Sequence, residues 1–196
     1  MGPYTRQPPP STRPAAPRCG GWIQENLPLL VQLQLPRVGA LSLPRVAELV
    51  EGRLALRPAP ELVALRERNP LAGPVDVAGR VTLVDTYREP RIEVAARITG
   101  RSGSGKWDIG PARVEVDLTR GALSVGAGAQ APVNGPLRDA ELRIFVDGSI
   151  VEVFLPGRAS VTARCYGPPG GSVVAESAGL AVHGCTVWRM PTRSVT

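Results

Sequence analysis

The run ELRIFVDGSIVEVFLPGR, residues 141–158, decides the fold. It divides into LRIFV, an Asp147-Gly148 pair and SIVEVFL: two apolar, β-branched segments around a dipeptide that tolerates positive φ. This pattern predicts a β-hairpin with a two-residue type I′ turn at Asp147-Gly148. With those residues as the loop, Phe145 lies opposite Ile150, Ile144 opposite Val151 and Arg143 opposite Glu152. Side chains alternate along a strand, so Leu142, Ile144, Val151 and Val153 share one apolar face. Arg143, Phe145, Ile150, Glu152 and Phe154 share the other, half-polar face.

The carboxylates of Asp147 and Glu152 raise the question of a hydrolase pair. A retaining glycosidase sets its two carboxyls about 5 to 5.5 Å apart, and an inverting one about 6.5 to 9.5 Å. Glu152 lies beyond Ser149 along the strand and, at ~3.3 Å per residue, roughly 10 Å from the turn. It also gains a cross-strand arginine in this register. The hairpin therefore reads as scaffold. Arg143, Asp147, Gly148, Ser149, Glu152 and Phe154 form a structural signature, and no catalytic residue is assigned among them.

The rest of the chain supports an all-β reading. With 196 residues, 21 prolines and 22 glycines, it has the composition of many turns and short strands. RIEVAARIT places Ile92, Val94, Ala96 and Ile98 on one face, ARVEVDL does the same for Val114, Val116 and Leu118, and SVVAE and LAVHGCTVWRM read as two strands that close the chain. About ten short strands at intervals of roughly 8 to 12 residues predict an antiparallel β-sandwich of two sheets. PAPELVALRER, with Pro60 at a helix start, predicts one short helix near 60–68. Residues 1–20 are proline-rich and nearly free of aliphatics, so they are expected to be disordered. GWIQENLPLLVQLQL reads as a strand, a loop and an extended run. LPRV at 35–38 recurs at 43–46, an echo too short for a solenoid.

Composition excludes several functions. The net charge is +6, with a single lysine, Lys106. The arginines alternate with acids, as in Arg91-Ile92-Glu93, rather than clustering as a nucleic-acid footprint. Cys19, Cys165 and Cys185 make no disulfide framework. His183 is the sole histidine and no CxxC spacing occurs, so neither a metal site nor a cofactor is expected. The longest apolar run is too short and too glutamine-rich to span a bilayer. With no signal peptide core either, the expected location is cytoplasmic.

Five stretches in order resemble the C-terminal part of glycoside hydrolase family 32, the invertases, levanases and other β-fructosidases. They are GWIQEN (21–26), GALSLPRVAEL (39–49), EGRLALRPAPELVALR (51–66), LRIFVDGSIVEVFLPGR (142–158) and the closing TVWRM with Trp188. The resemblance implies a five-bladed catalytic propeller followed by a β-sandwich. It divides the chain into a tail (1–20), a remnant of the last propeller blade (21–45) and the sandwich (46–196). The family's nucleophile is the aspartate of a W-[ML]-N-D-P-N-G run, and its acid/base the glutamate of an E-C pair. Here Trp22, Trp107 and Trp188 are followed by Ile23, Asp108 and Arg189, and the cysteines by position follow Arg18, Arg164 and Gly184. Arg138-Asp139 continues into Ala140 rather than the proline of the family's R-D-P run.

The resemblance thus implies a sandwich module of a β-fructoside-cleaving enzyme, inactive alone. Its partner would be a catalytic β-propeller or a second subunit, and its ligands fructose-containing saccharides. The alternative is a free-standing carbohydrate-binding module, with Trp107, Tyr87 and Tyr166 as candidate sugar contacts; Trp107 follows RSGSGK and is expected in a loop. Three tryptophans, three tyrosines and two phenylalanines are few for such a platform. A third reading is a fragment with no function of its own.

Overall fold

The computed structural model describes residues 17–35, 38–50, 52–168 and 170–190. In chain order the strands are β1 (Arg18–Cys19), β2 (Trp22–Ile23), β3 (Ala40–Leu41), β4 (Arg45–Val50) and β5 (Arg53–Pro58). They continue with β6 (Ala72–Tyr87), β7 (Arg91–Gly100), β8 (Ser104–Ile109), β9 (Ala112–Asp117) and β10 (Ala122–Val125). The last are β11 (Ala129–Pro132), β12 (Leu137–Asp147), β13 (Ile150–Leu155), β14 (Ala159–Arg164) and β15 (Gly171–Arg189). A one-turn helix α1 (Leu29–Gln32) and a 3-10 helix (Pro60–Leu65) complete the list.

Ten strands form one continuous antiparallel sheet, β11-β10-β9-β8-β15-β7-β12-β13-β14, with β6 on β15. It folds into two layers because β6 and β15 are long enough to belong to both. The first half of β15 pairs with β8 and with the end of β6, and the second half pairs with β7 and the start of β6. The passage between layers falls where the β15–β6 register shifts, between Ser177 and Val182. Gly79 (φ 69°) and Gly179 (φ 74°) sit at that passage, in a conformation that favours glycine. The expected two-sheet sandwich is present, but SVVAE and LAVHGCTVWRM are one strand rather than two. No local turn signal separates them, because the chain bends without reversing.

The apolar faces of both layers meet in a single core. Ile92, Val94, Ala96, Ile98, Val114 and Val116 lie in it with Leu142, Ile144, Val146, Val151, Val153 and Leu155. The predicted faces of the hairpin are correct, whereas its register is not. Asp147 pairs with Ile150, Val146 with Val151, Phe145 with Glu152 and Arg143 with Phe154. The loop is Gly148-Ser149. Gly148 has φ 58° and Ser149 is not at positive φ, as a type II′ turn requires and a type I′ turn does not. The loop moved by one residue yet stayed two residues long, so alternation kept every side chain on its face.

A small layer covers the outer face of the second sheet. Sheet β1-β4-β5 and the 3-10 helix lie there, where Val46, Ala59 and Leu62 pack on Phe145, Phe154 and Met190. Three further expectations change. Arg18 and Cys19, assigned to a disordered tail, pair with Val46 and Arg45; residues 1–16 lie outside the described residues. Leu29–Gln32, read as extended, forms a single helical turn after Pro28. It has no strand to pair with and buries none of its residues, so local hydrogen bonds decide its form. The predicted helix at 60–68 is the shorter 3-10 segment Pro60–Leu65, and the first LPRV lies partly outside the described residues.

Candidate functional site

The polar face of the central hairpin, instead of facing water, is covered. Across β15, β7, β12, β13 and β14 the registers align Trp188, Glu93, Phe145, Glu152 and Thr162 in one row. Glu93 is 0% and Glu152 2% exposed. A buried carboxylate is tolerated only if paired and hydrogen-bonded, and the covering layer supplies a partner to each.

Arg66, just past the 3-10 helix, grips Glu93 through Nε (2.8 Å) and Nη2 (2.7 Å), and its guanidinium lies 5.2 Å from the Trp188 ring centroid. Arg143 Nε adds a third bond to Glu93 at 2.6 Å and its guanidinium stacks 4.8 Å from Phe145. The hydrogen bonds that Arg66 donates to Glu93, opposed by burial, raise the Arg66 pKa above its ordinary value. From β4, Arg45 pairs with Glu152 and donates to Thr162 Oγ1 at 2.5 Å, with its guanidinium 5.4 Å from the Phe154 ring. Leu43 N–H completes Glu152 at 2.6 Å. Both glutamates are thus met by an arginine that also lies against an aromatic ring. Phe145 and Phe154 pack edge to face, 6.0 Å between centroids.

This placement corrects the expected Arg143–Glu152 pairing: Arg143 serves Glu93, and Glu152 serves Arg45. Asp147 bonds to Arg91 Nε at 2.9 Å and stays half-exposed. Asp147 and Glu152 thus have separate arginine partners, and both line a small pocket with Leu41, Leu43, Phe145 and Ile150. Ser149 Oγ accepts from Arg164 Nη1 at 2.8 Å.

The candidate sugar contacts are placed differently from one another. Trp107, read as a loop residue, is 0% exposed on β8. Period-two alternation turns it inward, and Gly105 leaves it room: a Cβ there would stand 2.9 Å from the indole. Tyr87 is also buried, which pushes its pKa up to about 12. Neither can present a ring face to a sugar. Tyr166 is partly exposed, but its hydroxyl donates to Glu25 (2.7 Å) and accepts from Asn26 N–H (2.9 Å).

Those contacts anchor the N-terminal segment. Glu25 also accepts from Arg164 Nη2 (2.6 Å) and Gly39 N–H (3.1 Å), and the Glu25 and Arg164 side chains are 7% and 8% exposed. The Tyr166 hydroxyl, then Gly39 and Arg164, lower the Glu25 pKa against the opposing effect of burial. Between this segment and the sandwich lies a cleft of about 730 Å³, lined by Trp22, Gln24, Asn26 and Arg45 on one side. Thr162, Arg164 and the β10–β11 turn line the other.

Sequence reasoning had no means of finding Arg45, Arg66, Glu25 or Arg164 as partners, since each lies far along the chain from its counterpart. The cysteines are all free, with Cys185 buried. His183 is exposed on β15, its Nδ1 3.5 Å from Asp76. Among the described residues no group of three or more His, Cys, Asp or Glu could hold a metal ion. No described helix is long and apolar enough to cross a membrane.

Residues 100–189 match the family model "Glycosyl hydrolases family 32 C terminal". No curated protein matches the sequence. Solved structures do match in fold. A β-fructofuranosidase from Bombyx mori is 18% identical with a TM-score of 0.58, covering 88% of this chain and 41% of its own. An exo-inulinase from Aspergillus awamori is 15% identical (TM-score 0.64, 89% and 40%). Fructan 1-exohydrolase IIa from Cichorium intybus is 14% identical (TM-score 0.64, 90% and 46%). The chain spans about two fifths of the length of these enzymes. The resemblance read from the sequence therefore stands: residues 100–189 are similar to the C-terminal domain of glycosyl hydrolase family 32, and the fold is that of the C-terminal part of the enzymes matched.

Proposed function

We propose that this chain serves as the non-catalytic sandwich of a β-fructoside-cleaving glycosidase. In the complete enzyme the reaction would be retaining hydrolysis of a β-fructofuranosyl bond in sucrose, levan or inulin. The hairpin carboxylates Asp147 and Glu152 are each engaged with an arginine, and the family's nucleophile and acid/base runs are absent from its sequence. By itself it turns nothing over.

One observation carries the reading. Leu29, Leu30, Leu33 and Leu41 are each more than three-fifths exposed, all within the segment 21–45 that resembles the end of a propeller blade. An apolar surface of this kind marks an interaction site, and the partner proposed is a catalytic propeller or a second subunit. The test mixes the full chain with a separately produced family 32 propeller that lacks its own sandwich. Complex formation, with fructose released from sucrose or inulin only in the mixture, is the expected result. Fructose release by the repurified chain alone overturns it.

A further inference from the structure

The cleft between the N-terminal segment and the sandwich has charge of one sign only. Of its fifteen lining residues two are charged, Arg45 and Arg164, and none is acidic. Their counter-ions, Glu152 and Glu25, stand outside the lining and are 2% and 7% exposed. Each carboxylate also has other donors: Leu43 N–H on Glu152, and Gly39 N–H with the Tyr166 hydroxyl on Glu25. A guanidinium has five N–H donors in a planar fork, so an arginine bound to one carboxylate retains capacity for a second anion.

The neutral lining suits a ring that bears hydroxyls. Among the described residues, the side-chain amides of Gln24 and Asn26 have no intramolecular hydrogen bond and are exposed. Thr162 Oγ1 accepts from Arg45 and keeps its O–H to donate. Trp22, 63% exposed, offers an indole to the C–H face of a sugar. The turn between β10 and β11 contributes Gly126, Ala127 and Gly128, with little side-chain bulk to fill the space.

We propose that this cleft binds a small anionic saccharide, a sugar phosphate or a sugar acid, with its anionic group toward Arg45 and Arg164 and its ring near Trp22. A bare anion leaves the amides and the indole unused, and a neutral sugar leaves the arginines unused. All the residues involved belong to this chain, so the inference holds or fails independently of any propeller partner.

The test titrates the full chain with glucose 6-phosphate, glucuronate, glucose and inorganic phosphate. Binding is followed by calorimetry and by tryptophan emission, to which Trp22 is the exposed contributor while Trp188 is half-buried and Trp107 buried. Ala127 is exposed on the turn, so Ala127→Glu places a like charge in the cleft without touching the buried ion pairs. The expected result is saturable binding of glucose 6-phosphate or glucuronate, at least about tenfold tighter than glucose or phosphate, and at least about tenfold weaker in Ala127→Glu. Should that variant not fold, the surface pair Gln24→Ala with Asn26→Ala replaces it with the same expectation. The proposal is overturned if neither probe saturates, if glucose or phosphate alone binds as tightly, or if a folded variant binds unchanged.

Discussion

The backbone amide of Leu43 donates to Glu152 Oε1 at 2.6 Å, joining two residues 109 positions apart. Arg45, two residues on, bonds to the other carboxylate oxygen. The glutamate at the centre of the hairpin is therefore the point where the covering layer is fixed to the sandwich, by one backbone and one side-chain donor.

Removing that carboxylate should leave Arg45 charged, largely buried and without its counter-ion. Glu152→Ala is expected to destabilise the chain by about 3 to 5 kcal/mol, the range for breaking a buried pair from one side. Glu152→Gln, which keeps an acceptor for Leu43, should cost clearly less. Urea denaturation of both variants checks the order; equal losses would show that shape, not charge pairing, is what the site requires.

Gly148 tests the turn. Its φ of 58° is left-handed, and no atom within 4 Å would meet an added Cβ. Gly148→Val should therefore cost only backbone strain, about 1 to 2 kcal/mol, and Gly148→Asn less, since asparagine tolerates that region. A thermal melt that places valine and asparagine together would contradict the assigned conformation.

The three thiols should react in a fixed order. Cys19 is exposed, Cys165 is half-buried with a pKa raised by burial, and Cys185 is buried with a pKa pushed up to about 11. A thiolate is the reactive form. Cys19 should be labelled first and Cys185 only after unfolding, and mass spectrometry over a labelling time course reads this directly. Labelling of native Cys185 at the rate of Cys19 would be incompatible with its place in the core.

Acid should loosen the N-terminal segment first. The folded Glu25 pKa is depressed, chiefly by the Tyr166 hydroxyl. Its contribution is therefore present above the unfolded value of 4.5 and is lost as pH falls through the lower folded value. Protonation weakens the contacts from Arg164, Tyr166 and Gly39 together. Proteolysis by an acid-active protease below that range should cut before β4 while β6 to β15 resist. Tyr166→Phe should bring the same cleavage at higher pH; uniform cleavage along the chain would show no such order.

The parts of this fold that were legible in the sequence are those governed by alternation. Leu142, Ile144, Val151 and Val153 fall on the core face in any two-residue hairpin, so the face could be read even with the turn one residue out. The turn itself depended on Gly148-Ser149 against Asp147-Gly148, and Asp147 was drawn into the strand, where it pairs with Arg91 on β7, a contact no local pattern announces. Trp107 was misplaced because RSGSGK has loop composition, although Gly105 is there to admit the indole. The buried arginine pairs were invisible for a different reason. Arg45 and Arg66 resemble any surface arginine until the layer that carries them is folded over the sheet.

The ribbon of β6 and β15 also governs how the chain can fold. Tyr87 pairs with Gly171 and Ala72 with Val187, so closing the ribbon joins segments separated by nearly the whole sandwich. Contacts this distant in sequence are entropically late and slow a protein's search for its native state. During synthesis β7 to β14 emerge before the strand that both layers require as an interior member. Until then β7 and β8 each present an open edge, which makes the nascent chain, more than the finished one, the species in need of protection from aggregation.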